Sequence, residues 1–177
     1  MINSKKAEEQ ALLNLAYAIC AAARTAPKAV GIDLIDTAVL TGEDKSKLAD
    51  HMRALGGKLG EDGKFIIRDA ANVDASGAVV LIGVQYQTRG LNEGCGMCGF
   101  SNCAACVSSG ATCVFAPLDL GIALGSAVGL AADNRIDNRI MFTIGKMASL
   151  LGLLGECKLI MGIPLSVSGK SPFFDRG

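Results

Sequence analysis

The sequence predicts a protein that mixes helices with a few short strands and is organised around one stretch of crowded cysteines. Three observations carry this. Ala11, Leu12, Leu15, Ile19 and Ala22 recur at helical spacing, as one face of an amphipathic helix does. Ala78 to Val84 is a continuous apolar run of strand length, the pattern of a buried central strand. Five of the seven cysteines fall between Gly94 and Cys113, where glycine and other small residues fill most of the gaps. A packed core uses bulk, and this stretch has little, so its cysteines point to chemistry.

The 177 residues suit a single domain over 1–177, with 94–113 as a cysteine-rich metal-cluster insert within it. Half the residues are hydrophobic, enough for a substantial core. Seventeen basic residues balance seventeen acidic ones. That balance argues against nucleic acid or an anionic membrane surface as the main partner. Lys5 and Lys6 before the apolar run of 11–23 have the outline of a signal peptide, but Glu8 and Glu9 lie between them and Asn14 interrupts the run. An amphipathic first helix is the expectation instead. No apolar run reaches the roughly 20 residues of a membrane span, so none is expected. A reducing cytoplasmic location follows, which also keeps thiols free.

The elements read in order as follows. The first helix runs from Lys5 to Arg24 and stops at Thr25-Ala26-Pro27, because the residue before proline avoids helical geometry. Leu34 to Leu40 reads as a strand. Glu43 to Leu55 reads as a helix with Leu48, Met52 and Leu55 inward, closed by Gly56-Gly57. His51, the only histidine, lies beside that stripe and reads as a surface or boundary residue. With it alone, no Ser/His/Asp or Cys/His arrangement is available, which disfavours hydrolase chemistry. Phe65 to Ile67 opens a short helix or forms a short strand. After the cysteines a helix is expected from Asp119, as its N-cap, to Ala132. Gly121, Gly125 and Gly129 recur along it every four residues. The doublet Asp133–Ile136 and Asp137–Ile140 ends that helix and caps the next. The next carries Ile140, Ile144, Met147, Leu151 and Leu154 inward and stops at Gly155. Cys157 to Ile163 reads as the last strand. Cys20 and Cys157 are expected to be buried structural cysteines.

Three chemistries compete for the crowded cysteines. Disulfides require an oxidising compartment. Zinc suits the pairs Cys95-x2-Cys98 and Cys103-x2-Cys106, but only four residues separate them, against roughly 15–20 in a zinc ribbon. An iron–sulfur cluster suits short Cys-x2-Cys and Cys-x4-Cys turns best, since one compact loop must wrap a small inorganic core. Cys98-x4-Cys103-x2-Cys106 alone matches the plant-type spacing that holds 2Fe–2S.

A longer pattern, Cys95-x2-Cys98-Gly99-Phe100-x2-Cys103, resembles the 4Fe–4S module of corrinoid iron–sulfur proteins and of electron-transport complex subunits. In that module a fourth cysteine follows a short helix. The resemblance implies Cys95, Cys98, Cys103 and Cys113 as ligands, with Cys106 as the alternate fourth. Four stretches carry a wider likeness: CGMCGF (95–100), DLGIALGSA (119–127), DNRIMFTIG (137–145) and IPLSVSGKSPFFDR (163–176). Together they resemble a family of uncharacterised proteins described as ferredoxin-domain-containing.

The order of elements is also similar to the FMN-dependent nitroreductases. Ala22–Lys28 resembles their helix ending in an Ala-Pro turn, 119–132 their long central helix, and Lys158–Ser166 their last strand. That resemblance implies an α+β fold with a mostly antiparallel sheet flanked by helices, a homodimer, and FMN as a second cofactor beside the 4Fe–4S cluster. Lys170 and Arg176 would contact the FMN phosphate. Lys28, Ala29 and Val30 stand where nitroreductases carry Ser and Asn. The functional expectation is a cytoplasmic redox protein that transfers electrons, or a small flavin-linked reductase of unknown substrate. The alternative is a zinc-binding structural or regulatory protein without redox chemistry.

Overall fold

A computed structural model describes residues 1–174. Its centre is β2 (Ala78–Val84), every residue of which is buried. The strand has no polar alternation because helices cover both of its faces. Ala78, Val80, Ile82 and Val84 enter one apolar cluster with α1 (Ser4–Thr25) and α5 (Phe115–Asp133). Val79 and Leu81 enter a second cluster with α2 (Gly42–Leu59), α3 (Lys64–Ala75) and α6 (Phe142–Leu150). β2 pairs antiparallel with β1 (Ile35–Leu40) on one side and β4 (Leu159–Ser166) on the other. The two-residue β3 (Asp137–Asn138) pairs with β4, giving the order β1-β2-β4-β3, all antiparallel. This is the α+β arrangement with an antiparallel sheet between helices.

α1 starts at Asn3, whose side chain accepts the Lys6 N–H at 3.0 Å, and ends before Pro27. Its buried stripe is Leu12, Leu15, Ala16, Ile19 and Ala23. Ala11 and Ala22 flank this stripe instead of lying in it. α2 continues past Gly56-Gly57, the expected stop, and ends at Gly60, whose φ is +59°. The pair serves a crossing instead: a Cβ on Gly56 would lie 2.6 Å from Ile67 Cγ1 and 2.9 Å from the Gly63 carbonyl oxygen. Phe65 to Ile67 belongs to α3 and is not a strand.

α5 begins at Phe115, four residues before the expected N-cap. Pro117 is tolerated because it falls in the first turn, where a backbone N–H has no helical acceptor. Asp119 is therefore inside the helix and 3% exposed. α5 is long and apolar enough to cross a membrane by length and composition. One face packs on α1 and the sheet. The other carries Gly121, Ile122, Gly125 and Gly129 at the surface. α6 is shorter than its apolar pattern predicts. Asp137 and Asn138 pair with β4 and Met141 bridges to Gly162, so the helix begins only at Phe142. Ile144, Met147 and Leu154 are buried as expected, but Ile140 is 41% and Leu151 37% exposed. Cys157 is buried; Cys20 is only half-buried, packed at the edge of the α1–α5 cluster.

Candidate metal centre

The cysteine stretch hangs between the end of β2 and the start of α5, so a rigid strand and a rigid helix fix both ends of the loop. The chain leaves β2 at Gln85, whose N–H still reaches the Leu34 carbonyl at 3.0 Å. Arg89 then anchors it. The guanidinium donates to Asp119 Oδ2 from Nη2 at 2.7 Å and from Nε at 3.3 Å, and to the Gln87 carbonyl from Nη1 at 2.7 Å. Asp119 Oδ1 accepts the Ala29 N–H at 2.9 Å. One buried ion pair thus ties the turn after α1, the entry to the cysteine loop and the first turns of α5.

Each cysteine is placed by local backbone chemistry. Asn92, at φ +49°, points its N–H at Cys103 Sγ, 3.4 Å away. Gly96 and Gly99 both take positive φ, and the Gly99 N–H closes on the Gly96 carbonyl at 3.0 Å. The resulting tight turn carries Cys98, which a side chain at either glycine would strain. Cys98 Sγ accepts the Val114 N–H at 3.3 Å. Asn102 caps α4 (Cys103–Ser108) by accepting the Ala105 N–H at 2.9 Å. This cap starts the helix at Cys103 and sets Cys106 one turn on. α4 ends in a Schellman cap at Gly110, with the Ala111 N–H on the Cys106 carbonyl at 3.2 Å. The Cys106 thiol in turn donates to the Ala111 carbonyl at 3.7 Å. Cys113 lies two residues before the start of α5 and is 7% exposed.

All five cysteines line one cavity, with Phe100 and Phe115. Among the described residues, Arg89 is the one charged side chain lining it. Burial pushes the Cys106 thiol above its ordinary range, helped by a hydrogen bond to Cys98 and by the charges of Cys98, Cys113 and Cys103. Among the described residues, no three Cys, His, Asp or Glu side chains converge as they would on a single ion. The free space is about 20 Å³, room for about one water. The loop must widen to admit a group larger than an ion.

Of the basic residues expected at a flavin phosphate, Lys170 does not line this cavity. Lys170 is exposed on a loop where Ser168 Oγ donates to its carbonyl at 2.6 Å and accepts its N–H at 3.2 Å. Arg176 lies outside the described residues. A larger cavity of about 530 Å³ opens at the other end of β2, between α1 and the end of β4, beside the Lys170 loop. Lys5, Glu8 and Glu9 line it, so among the described residues one cation faces two carboxylates. Sequence reasoning misses Arg89 and takes its partner Asp119 for a cap. A signal was present: Arg89 and Glu93 are the only charged residues between Gln85 and Cys113.

An uncharacterized protein of Archaeoglobus fulgidus is 40% identical over 186 residues, covering 99% of this chain and 97% of its own. The model of the family described as "Uncharacterized protein containing a ferredoxin domain" (DUF2148) matches residues 109–176. The chain belongs to this ferredoxin-domain family. The matched segment includes Cys113, while the other four clustered cysteines precede it.

Among solved structures, this family member is similar to a nitroreductase with bound FMN from Bacteroides fragilis, with TM-score 0.60 and 12% identity over 95% of this chain and 79% of that one. Nitroreductase CinD from Lactococcus lactis, in complex with nicotinic acid, aligns with TM-score 0.57 and 16% identity over 89% of this chain and 81% of its own. NADPH:FMN oxidoreductase from Vibrio harveyi, complexed with NAD+, aligns with TM-score 0.56 and 12% identity over 90% of this chain. The chain spans 61% of that enzyme's length. These likenesses establish a nitroreductase-like fold.

Proposed function

We propose that this protein is a cytoplasmic redox protein that holds one 4Fe–4S cluster on Cys95, Cys98, Cys103 and Cys113 and passes electrons through it. The carrying observation is the shared cavity of the five cysteines, in which Cys98 and Cys103 already accept backbone N–H groups. Such bonds offset thiolate charge and are among the features that tune a cluster. When bound, a cluster of this kind accepts and releases single electrons. The chain's own contribution is to hold and shield it. Cys113 stands at the positive end of the α5 dipole, where an anion is favoured. Phe100 and Phe115 limit water at the cavity wall. Cys106 is the alternate fourth ligand; its thiol and its carbonyl are both engaged by Ala111, which favours Cys113. A structural zinc ion fits less well. Zinc needs four donors roughly 2.3 Å from one point, whereas a cluster takes thiolates spread over separate iron atoms. In this reading 94–113 is a cluster-binding insert within one domain over 1–177.

A flavin-linked reductase is the second reading, favoured by the likeness to FMN-binding nitroreductases and by the 530 Å³ cavity. Lys170 and Arg176 would then reach the phosphate from the C-terminal tail. The assembly in either reading is a homodimer through the exposed face of α5. Anaerobic purification followed by iron, sulfide, zinc and flavin analysis tests both. Near-stoichiometric iron and sulfide with broad visible absorption is the expected result. Zinc alone, in a colourless protein, would overturn it, and bound flavin would select the reductase.

A further inference from the structure

We infer that Arg89 is a positioning residue that sets the reduction potential of the proposed cluster, an inference that rests on the cluster reading above. Arg89 and Asp119 side chains are 1% and 3% exposed. A buried pair of this kind is weak evidence for stability, because well-packed apolar residues often serve as well. Its placement suggests a use. Arg89 lines the cysteine cavity, and among the described residues no other charged side chain does. Nε, Nη1 and Nη2 each donate one hydrogen bond to Asp119 or Gln87. A guanidinium carries five N–H donors, so two remain without a partner among the described residues. Both belong to a group that lines the cysteine cavity and is shielded from water.

A cluster held by four thiolates is a net anion, and reduction adds one more negative charge. A fixed cation at low dielectric favours the reduced form and raises the potential. Asp119 moderates that effect by neutralising part of the guanidinium charge. Its own position is fixed from the far side by the Ala29 N–H, so the turn after α1 helps hold the pair against the cavity. The pair acts as an oriented dipole whose positive end borders the cluster.

The experiment compares the full-length, cluster-loaded wild type with Asp119→Asn, Arg89→Lys and the neutral double variant Arg89→Gln/Asp119→Asn. Iron content, thermal midpoint and reduction potential by spectroelectrochemical titration are measured for each. Asp119→Asn leaves an uncompensated guanidinium, and its potential should rise above wild type. The double variant should fall below Asp119→Asn by about 60 mV, a tenfold change in the reduction equilibrium for one electron. Arg89→Lys keeps the charge and should stay nearer wild type than the double variant does. A merely structural pair would lower the thermal midpoint in these variants and leave their potentials equal, which overturns the inference. If the double variant does not fold, an Asp119→Asn potential equal to or below wild type overturns it by itself. A wild-type protein that binds no iron sinks the cluster reading and this inference together, and is recognised by absent visible bands instead of an unshifted potential.

Discussion

Gly145 of α6 and Ile160 of β4 meet backbone to backbone: a Cβ on Gly145 would lie 1.7 Å from the Ile160 carbonyl oxygen. That contact lets the helix sit directly on the sheet beside the last strand. Gly145→Ala cannot be absorbed by a side-chain rotation, because the obstacle is main chain. It should destabilise the protein by about 1–3 kcal/mol or more, as overpacked cores do. Thermal or denaturant unfolding measures this; an unchanged midpoint would show that α6 can lift without cost.

Val30 offers the opposite sign. It is 59% exposed and sits at φ +59°, a conformation that β-branched residues rarely take. The turn is held there by the Gly31 N–H on the Lys28 carbonyl and the Ile32 N–H on the Ala29 carbonyl. Left-handed backbone costs an ordinary residue about 1–2 kcal/mol, and Asn bears it better. Val30→Asn should therefore raise stability by about 1 kcal/mol. A lower melting midpoint in Val30→Asn would mean that the valine side chain makes a contact worth more than the strain.

How much of this was legible in the sequence depends on what each residue's neighbours could tell. β2 is readable because burial on both faces leaves an unbroken apolar run. The five cysteines are readable as a set because no packing role explains them. The failures share a cause: a local signal was overridden by a partner far along the chain. Asp119 has the look of a cap, but Arg89, thirty residues earlier, draws it into the interior of a helix that starts sooner. Gly56-Gly57 has the look of a stop, but Gly63 and Ile67 close over the first of the pair. Ile140 fits the apolar period of the following helix, but the pairing of 137–138 with β4 delays that helix and shifts its phase. The choice between Cys106 and Cys113 depends on side-chain direction, which spacing does not encode.

The ligand set has a graded test. Cys98→Ala or Cys103→Ala should abolish iron binding in protein purified anaerobically, since no histidine lies in the cysteine stretch to substitute. Cys20→Ala and Cys157→Ala should keep full iron, because both lie outside the cavity. Cys113→Ala should lose more cluster than Cys106→Ala, whose thiol is satisfied by a carbonyl. The reverse order would make Cys106 the fourth ligand.

The exposed face of α5 decides the assembly. Gly121, Gly125 and Gly129 stack on one side of the helix, as residues four apart do. A Cβ built on any of the three meets nothing within 4 Å, so among the described residues no other element rests on this face. The helix that follows, α6, packs on β4. Each glycine still costs the helix about 1 kcal/mol against alanine. A second copy laid across the same face offsets that cost by close approach, and a two-fold axis requires both copies to use the same patch. The two arrangements give opposite outcomes for Gly125→Leu. In a monomer the leucine enters open space and the better helix former raises stability. In the proposed dimer it clashes across the axis, and sedimentation should show monomer or aggregate where wild type shows dimer. A wild type that stays monomeric at high micromolar concentration, with a more stable Gly125→Leu variant, would refute the dimer.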